Sequence, residues 1–141
     1  MATARTDLTD MLASLTLFSD LSASELESVA HIVEERRFSD GERVLRQGLS
    51  GSGFYIIIDG DATIRVDGKD YGKLGRGDFF GEISALLGDP PVADIVATRG
   101  LRTAVIPGPT LESFMVSHPR VMYRMLQAEA RKLRTATRWR S

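Results

Sequence analysis

Residues 80–97 of this chain read FGEISALLGDPPVADIVA, and this segment is the most informative part of the sequence. A glycine and a single acid open a short apolar turn, a Gly-Asp-Pro-Pro loop follows, and a strand-like run closes the segment. Such a turn can offer backbone N–H groups to an anion, while the carboxylate of Glu82 accepts hydrogen bonds from hydroxyl groups. The segment therefore suits a ligand that carries both a phosphate and a sugar.

The composition is that of one soluble globular domain. The chain has 141 residues, of which 43% are hydrophobic and 26% charged, and its formal net charge is −1. No run approaches the roughly 20 apolar residues of a transmembrane helix, and residues 1–10 lack the apolar core of a signal peptide. The absence of cysteine excludes disulfides, thiolate metal sites and cysteine nucleophiles. We expect a cytoplasmic protein whose overall charge favours neither nucleic acid nor an anionic membrane.

The first part of the chain has helical periodicity. Ser22 and Glu25 have the spacing of a capping box, in which each side chain satisfies the other residue's backbone N–H. Apolar residues follow at helical spacing between residues 26 and 33. The pattern predicts a helical cap over residues 7–37.

From residue 38 to residue 107, short apolar runs alternate with glycine and aspartate turns. Asp59-Gly60 and Asp67-Gly68 are dipeptides that favour hairpin turns. The spacing predicts a compact antiparallel sandwich or barrel over residues 38–107. Its clearest strands would span residues 54–58, 62–66, 93–97 and 102–106.

Helical periodicity returns near the C-terminus. Thr110 is suited to cap a helix, and Pro119 can occupy the first turn of a final helix. Apolar residues then recur at helical spacing over residues 121–133. The pattern predicts C-terminal helices over residues 109–136. Because no long linker or repeat interrupts the chain, we expect residues 1–141 to form one domain.

Three signatures follow one another in the order found in a known family. Residues 80–97 resemble the phosphate-binding cassette of cyclic nucleotide-binding domains, whose pattern is Phe-Gly-Glu-(Leu/Ile)-Ala-Leu-Leu, a short loop and Arg-(Ala/Ser)-Ala. Residues 40–48, DGERVLRQG, and residues 54–60, FYIIIDG, resemble the family's two other signatures. The chain is identified as a member of this family, which includes catabolite activator protein and the regulatory subunits of protein kinase A. The resemblance implies a mostly β domain with flanking α: an eight-stranded antiparallel, jelly-roll-like β-roll between N-terminal and C-terminal helices.

The resemblance also implies a role for each residue of the cassette. In the family, the glycine at the position of Gly81 lets the backbone approach the cyclic phosphate, and the glutamate at Glu82 binds the ribose 2′-hydroxyl. Backbone N–H groups at Ser84 and Val92 would bind the phosphate, and Ile83 would pack the short helix onto the roll. The ligand-binding residues implied in this way are Gly81, Glu82, Ile83, Ser84, Pro91, Val92 and Ala93. The ligand would be cAMP or cGMP, and no cofactor is expected.

Pro91 stands where the family has the arginine that clamps the phosphate. Arginine supplies two charge-assisted hydrogen bonds, whereas proline offers neither charge nor donor. Loss of such a partner typically costs about 1.5–3 kcal/mol, or roughly 10- to 150-fold in affinity. Asp94, where the family usually has Thr or Ser, would repel an anion if it faced inward. The candidates for a relocated cation are Arg65, Arg76, Arg99 and Arg102.

The sequence offers no catalytic constellation. His31 and His118 have no companions at metal-ligand spacing, and no serine has a recognisable set of partners for nucleophilic attack. No glycine-rich turn is followed by Gly-Lys-(Ser/Thr), so a triphosphate cradle is excluded. We expect neither an enzyme nor a metal site.

The C-terminal end is basic and contains the one tryptophan. A basic end with an aromatic residue can touch nucleic acid or an acidic partner. Cations at the end of a helix also complement its dipole, and this is the preferred interpretation, so nucleic acid is not an expected partner. The residues concerned are Arg131, Lys132, Arg134, Arg138, Trp139 and Arg140.

The resemblance implies a non-enzymatic regulatory or sensor module that binds cAMP or a related cyclic nucleotide weakly, or through an altered phosphate site. The alternative is a degenerate fold that binds no nucleotide and serves in protein–protein contacts, and a third interpretation is a fragment whose effector domain lies elsewhere. In the family, the C-terminal helix closes over the base, and it often forms a dimer seam. We expect a protein effector, a homodimer through this helix and no membrane. The residue that covers the base would be Leu126, Ala130, Leu133 or Trp139.

Overall fold

The structure, a computed structural model, describes residues 2–49 and 53–138. The helices in these ranges are α1 (Ala2–Ala13), α2 (Ala23–Ile32), α3 (Glu82–Leu87), α4 (Gly108–Ser117) and α5 (Pro119–Arg138), with a 3-10 turn at Thr16–Phe18. None of these helices is long and apolar enough to cross a membrane. The strands are β1 (Glu34–Phe38), β2 (Arg43–Leu45), β3 (Gly53–Val66), β4 (Lys69–Leu74), β5 (Phe79–Phe80) and β6 (Asp94–Pro107). This mostly antiparallel β architecture with flanking helices confirms the predicted fold class.

Strands β3 and β6, of 14 residues each, form the centre of the sheet. The strand order is β1-β6-β3-β4, with β2 added to β6 and β5 added to β3, and every pair is antiparallel. Register shifts between Ile57 and Ala62 bend β3 without ending it. The described residues therefore contain six strands instead of the expected eight. The reason is that residues 54–58 and 62–66 belong to one bent strand, and residues 94–107 form another.

The two Asp-Gly dipeptides have different roles. Asp67-Gly68 joins β3 to β4 through a two-residue turn with φ values of 52° and 79°, and two positive φ values are typical of a tight hairpin. Asp59-Gly60 instead lies inside β3, so the hairpin predicted there is wrong. Gly60 has a φ of +83°, and a Cβ at this residue would lie 2.2 Å from the Arg99 carbonyl oxygen. The glycine thus lets β3 bend where β6 passes closest to it.

Helix α1 begins at Ala2, ahead of the predicted start at residue 7, whereas α2 begins at the predicted capping box. The Ser22 hydroxyl accepts a hydrogen bond from the Glu25 N–H at 3.2 Å, and the Glu25 carboxylate accepts one from the Ser22 N–H at 3.0 Å. These bonds confirm the capping box. Strand β1 begins inside the predicted cap of residues 7–37, because the four charged residues 34–37 break the apolar period and pair with β6.

Alternate side chains of β3 enter two different cores. Phe54, Ile56 and Ile58 pack against the helices, while Tyr55 and Ile57 point into the interior of the roll. This alternation follows from the two-residue period of a strand. All five side chains are buried. Strand β3 is therefore the wall between the helical core and the interior of the roll.

Helix α5 is fixed to the core near its start. Val121 and Met125 are buried, and Arg124 donates two hydrogen bonds, of 2.8 and 2.9 Å, to the Asp20 carboxylate. The hydrogen bond from Arg124 holds the pKa of Asp20 down at about 2. Leu133, two turns beyond Met125, is 69% exposed. The first turns of α5 are thus anchored, and its later turns pass over the edge of the roll.

Candidate functional site

The cassette segment, residues 80–97, is held against β3 by a ring stack and a close backbone contact. The Phe80 ring lies 4.9 Å from the Tyr55 ring, and the two planes differ by 4°. Gly81 has a φ of +83° and precedes the first residue of α3. A Cβ at Gly81 would lie 2.2 Å from the Gly53 carbonyl oxygen, so glycine suits both the backbone conformation and the available space. This turn places the next side chain, Glu82, in the interior.

A cavity of about 230 Å³ lies between the cassette segment, the sheet and α5. The seven residues singled out from the sequence all line it: Gly81, Glu82, Ile83, Ser84, Pro91, Val92 and Ala93. Most of the remaining wall is apolar and comes from Leu45, Ile64, Leu74, Phe79, Phe80 and Ile95. Within the described ranges, no group of three or more His, Cys, Asp or Glu side chains could hold a metal ion. The cavity can therefore offer a ligand an apolar wall, the backbone of the turn and a small number of charged groups.

Glu82 is the buried acid of this cavity and is 5% exposed. Its Oε2 atom lies 3.3 Å from the Lys132 Nζ atom of α5. Burial and a hydrogen bond with the Glu129 carboxyl raise the pKa of Glu82 to about 7, and the Lys132 charge opposes this rise. Near neutral pH, Glu82 can therefore accept a hydrogen bond as a carboxylate or donate one as an acid.

The raised pKa of Glu82 predicts a specific pH dependence of stability. Between about pH 4.5 and about pH 7 the folded protein keeps a proton on Glu82 that the unfolded chain has lost, so the free energy of unfolding falls as the pH rises. The loss is at most about 3 kcal/mol. Urea denaturation across this range should show the decline in the wild-type protein and a shallower one in Glu82→Gln, which cannot ionise. Equal slopes in the two proteins would contradict the assignment.

Two residues of α5 that the sequence does not mark as ligand-binding also line the cavity. These are Glu129 and Lys132, the second of which the sequence places in the basic C-terminal end. The Lys132 Nζ atom lies 3.2 Å from Glu129 Oε1 and 4.4 Å from the centre of the Phe79 ring. A signal was present in the sequence, because Met125, Glu129 and Lys132 are four and three residues apart and share one helix face.

The residues expected to cover the base do not reach this cavity. Leu126, Ala130 and Leu133 are exposed and do not line it, and Trp139 lies outside the described residues. Each of the first three follows a residue of the inner face by one position, which turns it about 100° away around the helix. The inner face of α5 therefore presents charged side chains to the cavity where apolar ones were expected.

The four arginines considered as relocated cations do not line the cavity. Three of them pair with carboxylates away from the cavity, and the fourth donates to a serine hydroxyl. These pairs are Arg65–Asp70 at 2.8 Å, Arg99–Asp61 at 2.7 Å, Arg102–Glu35 at 3.1 Å, and Arg76 with Ser14. None of these four candidates is therefore placed to replace the cassette arginine.

Two hydrogen bonds tie the loop around Pro91 to the chain that follows β2. The Pro91 carbonyl accepts the Gly48 N–H at 2.8 Å, and Asp94 Oδ1 accepts the Gln47 N–H at 2.7 Å. Asp94 is thereby turned away from the cavity, which it does not line, and adds no acid to its wall. Pro91 is buried and presents a hydrocarbon ring where an anion would otherwise find a charge.

Comparisons with known proteins agree with this architecture. The family model for the cyclic nucleotide-binding domain matches residues 35–118. A cAMP-dependent protein kinase regulatory subunit from Mycosarcoma maydis is 45% identical over 93 residues, which are 63% of this chain and 18% of that protein. A putative potassium channel protein from Rhodopseudomonas palustris is 31% identical over 120 residues, which are 83% of this chain and 29% of that protein.

Solved structures show the same fold. Thermus thermophilus catabolite activator protein is 25% identical and has a TM-score of 0.77, and the match covers 86% of this chain and 59% of that chain. The present chain thus spans less than a third of each of the two curated relatives and under two thirds of the activator. The family model matches more than half of the chain and includes most of the sheet, α3 and the cavity loop. The protein belongs to the cyclic nucleotide-binding domain family.

Proposed function

We propose that the protein is a non-enzymatic regulatory or sensor module that binds cAMP or a related cyclic nucleotide weakly, through an altered phosphate site. The observation that carries the proposal is the burial of Glu82 in a cavity beside Gly81. A buried carboxyl group lowers stability unless it is well paired, and the partner of Glu82 is a lysine whose side chain is 54% exposed. A buried acid with a raised pKa in a cleft is typical of a ligand site. The hydroxyl of a ribose is the partner that it suits.

The phosphate side of the cavity explains why binding should be weak. Pro91 removes a bidentate donor, which is expected to lower affinity roughly 10- to 150-fold relative to a pocket that keeps the arginine. The cavity of about 230 Å³ is also small. Pockets for small molecules usually measure about 300–1,000 Å³, so the cavity has to widen to admit a nucleotide. Both effects point to a low-affinity sensor.

Calorimetric titration with cAMP and with cGMP tests this function. We expect heat with a midpoint in the micromolar range or weaker, and we expect Glu82→Ala to abolish it because the hydroxyl acceptor is lost. Glu27→Ala is the matched control, since Glu27 is an exposed glutamate on α2. It should bind as the wild-type protein does. Absence of heat with millimolar nucleotide would rule out the sensor and favour the second candidate function below.

The second candidate is a degenerate module that binds a protein effector and no nucleotide. One observation favours it: an apolar cleft of about 400 Å³ lies between α3, α4 and α5. Large apolar side chains on its rim are strongly exposed, including Leu86 at 57%, Val116 at 67% and Leu126 at 63%. Contiguous apolar surface of this kind commonly marks a protein-binding site. The two functions are compatible, because the described linings of the cleft and of the nucleotide cavity have Glu129 alone in common.

A further inference from the structure

We propose that Lys132 takes over the task of the missing cassette arginine, by leaving Glu82 when a ligand hydroxyl arrives and pairing with the phosphate of the same ligand. The inference rests on the proposed function and names the residue that would make this pocket select an anionic ligand. Lys132 comes from α5, 41 positions after Pro91 in the chain, so it is not part of the cassette.

The charge distribution in the cavity singles out this lysine. Among the described residues that line the cavity, Lys132 is the one cation, and Glu82 and Glu129 are the acids. The strands and the Pro91 loop contribute apolar side chains to the wall, and α3 contributes the hydroxyl group of Ser84. An anion that enters this cavity therefore has one positively charged side chain to meet.

The contacts of Lys132 suit an exchange of partners. Its Nζ atom lies 3.3 Å from Glu82 Oε2 and 3.2 Å from Glu129 Oε1, so it already occupies one oxygen atom of the Glu82 carboxylate. A hydroxyl that takes this Oε2 atom displaces the ammonium group from Glu82. A neutral ligand would leave Lys132 with Glu129 and the face of the Phe79 ring, whereas a phosphate supplies a new counter-charge. The exchange is therefore favourable for a ligand that carries both groups.

The exposure of the Lys132 side chain suits this exchange. Lys132 is 54% exposed and has a flexible four-carbon stem, so its ammonium group can move without disturbing α5. Pro91 and Lys132 line the same cavity of about 230 Å³, so a ligand that fills the cavity can contact both residues. A single ammonium group replaces a bidentate guanidinium incompletely, which agrees with weak binding.

The test compares cAMP with adenosine, which has the same base and ribose but no phosphate. We expect wild-type protein to bind cAMP at least tenfold more tightly than adenosine. In Lys132→Met this preference should fall at least fivefold, through weaker cAMP binding with unchanged or stronger adenosine binding, and Lys132→Arg should restore it. Arg131→Met is the matched control, because Arg131 is the neighbouring cation on the same helix but does not line the cavity. This variant should keep the wild-type ratio of cAMP affinity to adenosine affinity.

Each other outcome has a separate meaning. If wild-type protein binds cAMP and Lys132→Met keeps the preference, the role of Lys132 is refuted and the proposed function stands. If Lys132→Met lowers the affinity for cAMP and for adenosine by the same factor, Lys132 stabilises the cavity without selecting the phosphate, and the proposal is again refuted. If wild-type protein binds neither ligand, the proposed function fails and the role of Lys132 fails with it.

Discussion

Replacement of Gly81 by alanine is expected to lower the free energy of unfolding by about 3 kcal/mol and to abolish nucleotide binding. Gly81 has a φ of +83°, a conformation that costs an L-residue about 1–2 kcal/mol. The new Cβ would also lie 2.2 Å from the Gly53 carbonyl oxygen and 3.3 Å from Tyr55 Cδ1, and such overpacking costs about 1–3 kcal/mol more. The turn must move away from β3, and Glu82 moves with it out of the cavity.

Gly88 provides the matched control for this prediction. It follows the last residue of the same helix, α3, and has a φ of +75°. A Cβ at Gly88 would find no atom within 4 Å apart from its chain neighbours, so Gly88→Ala should cost about 1–2 kcal/mol, for the backbone conformation alone. Urea denaturation of both variants measures the difference, and calorimetry measures binding. Equal losses of stability would show that the close contact with Gly53 does not govern the turn.

Replacement of Pro91 by arginine is expected to raise the affinity for cAMP at least tenfold. The substitution restores a guanidinium group and a backbone N–H at a buried position that lines the cavity. The carbonyl of residue 91 can still accept the Gly48 N–H, so the loop keeps its tie to the chain after β2. Isothermal calorimetry with cAMP measures the change.

Pro90→Arg separates the effect of position from the effect of charge. Pro90 belongs to the same loop but is exposed and does not line the cavity. The Pro90→Arg variant should therefore change the affinity for cAMP less than twofold, which corresponds to about 0.4 kcal/mol. Unchanged affinity in Pro91→Arg would mean that the cavity is closed or reshaped at its phosphate side. An equal gain in both variants would assign the effect to long-range charge alone.

The sequence predicted much of the fold because the relevant signals are local. The capping box at Ser22 depends on residues three positions apart, and the turn at Asp67-Gly68 depends on two neighbours. Asp59-Gly60 is the same dipeptide as Asp67-Gly68 but lies inside β3. Its conformation is set by the approach of Arg99 and Gly100, some forty residues away in the chain. No local pattern distinguishes these two cases, and the strand count of six depends on the same long-range packing.

The candidate site also has one part that a local motif predicts and another part that depends on packing between distant elements. The seven cassette residues lie within 13 positions of one another, so one short motif was enough to bring them together. The contribution of α5 depends on how that helix docks, which is determined by Val121, Met125 and the Arg124–Asp20 pair. The sequence alone does not show this docking, and it therefore indicates for Lys132 only a place in the basic C-terminal end.

Helix α5 is anchored by the buried Met125, and its remaining turns extend away from this point. Lys132 lies about 10 Å beyond this pivot along the helix axis, and residue 138 lies about 20 Å beyond it. A rigid tilt that shifts Lys132 by a given distance therefore shifts the far end of the helix by about twice as much. If ligand binding tilts α5 in this way, a spectroscopic probe near residue 137 should report the tilt more strongly than a probe near Lys132.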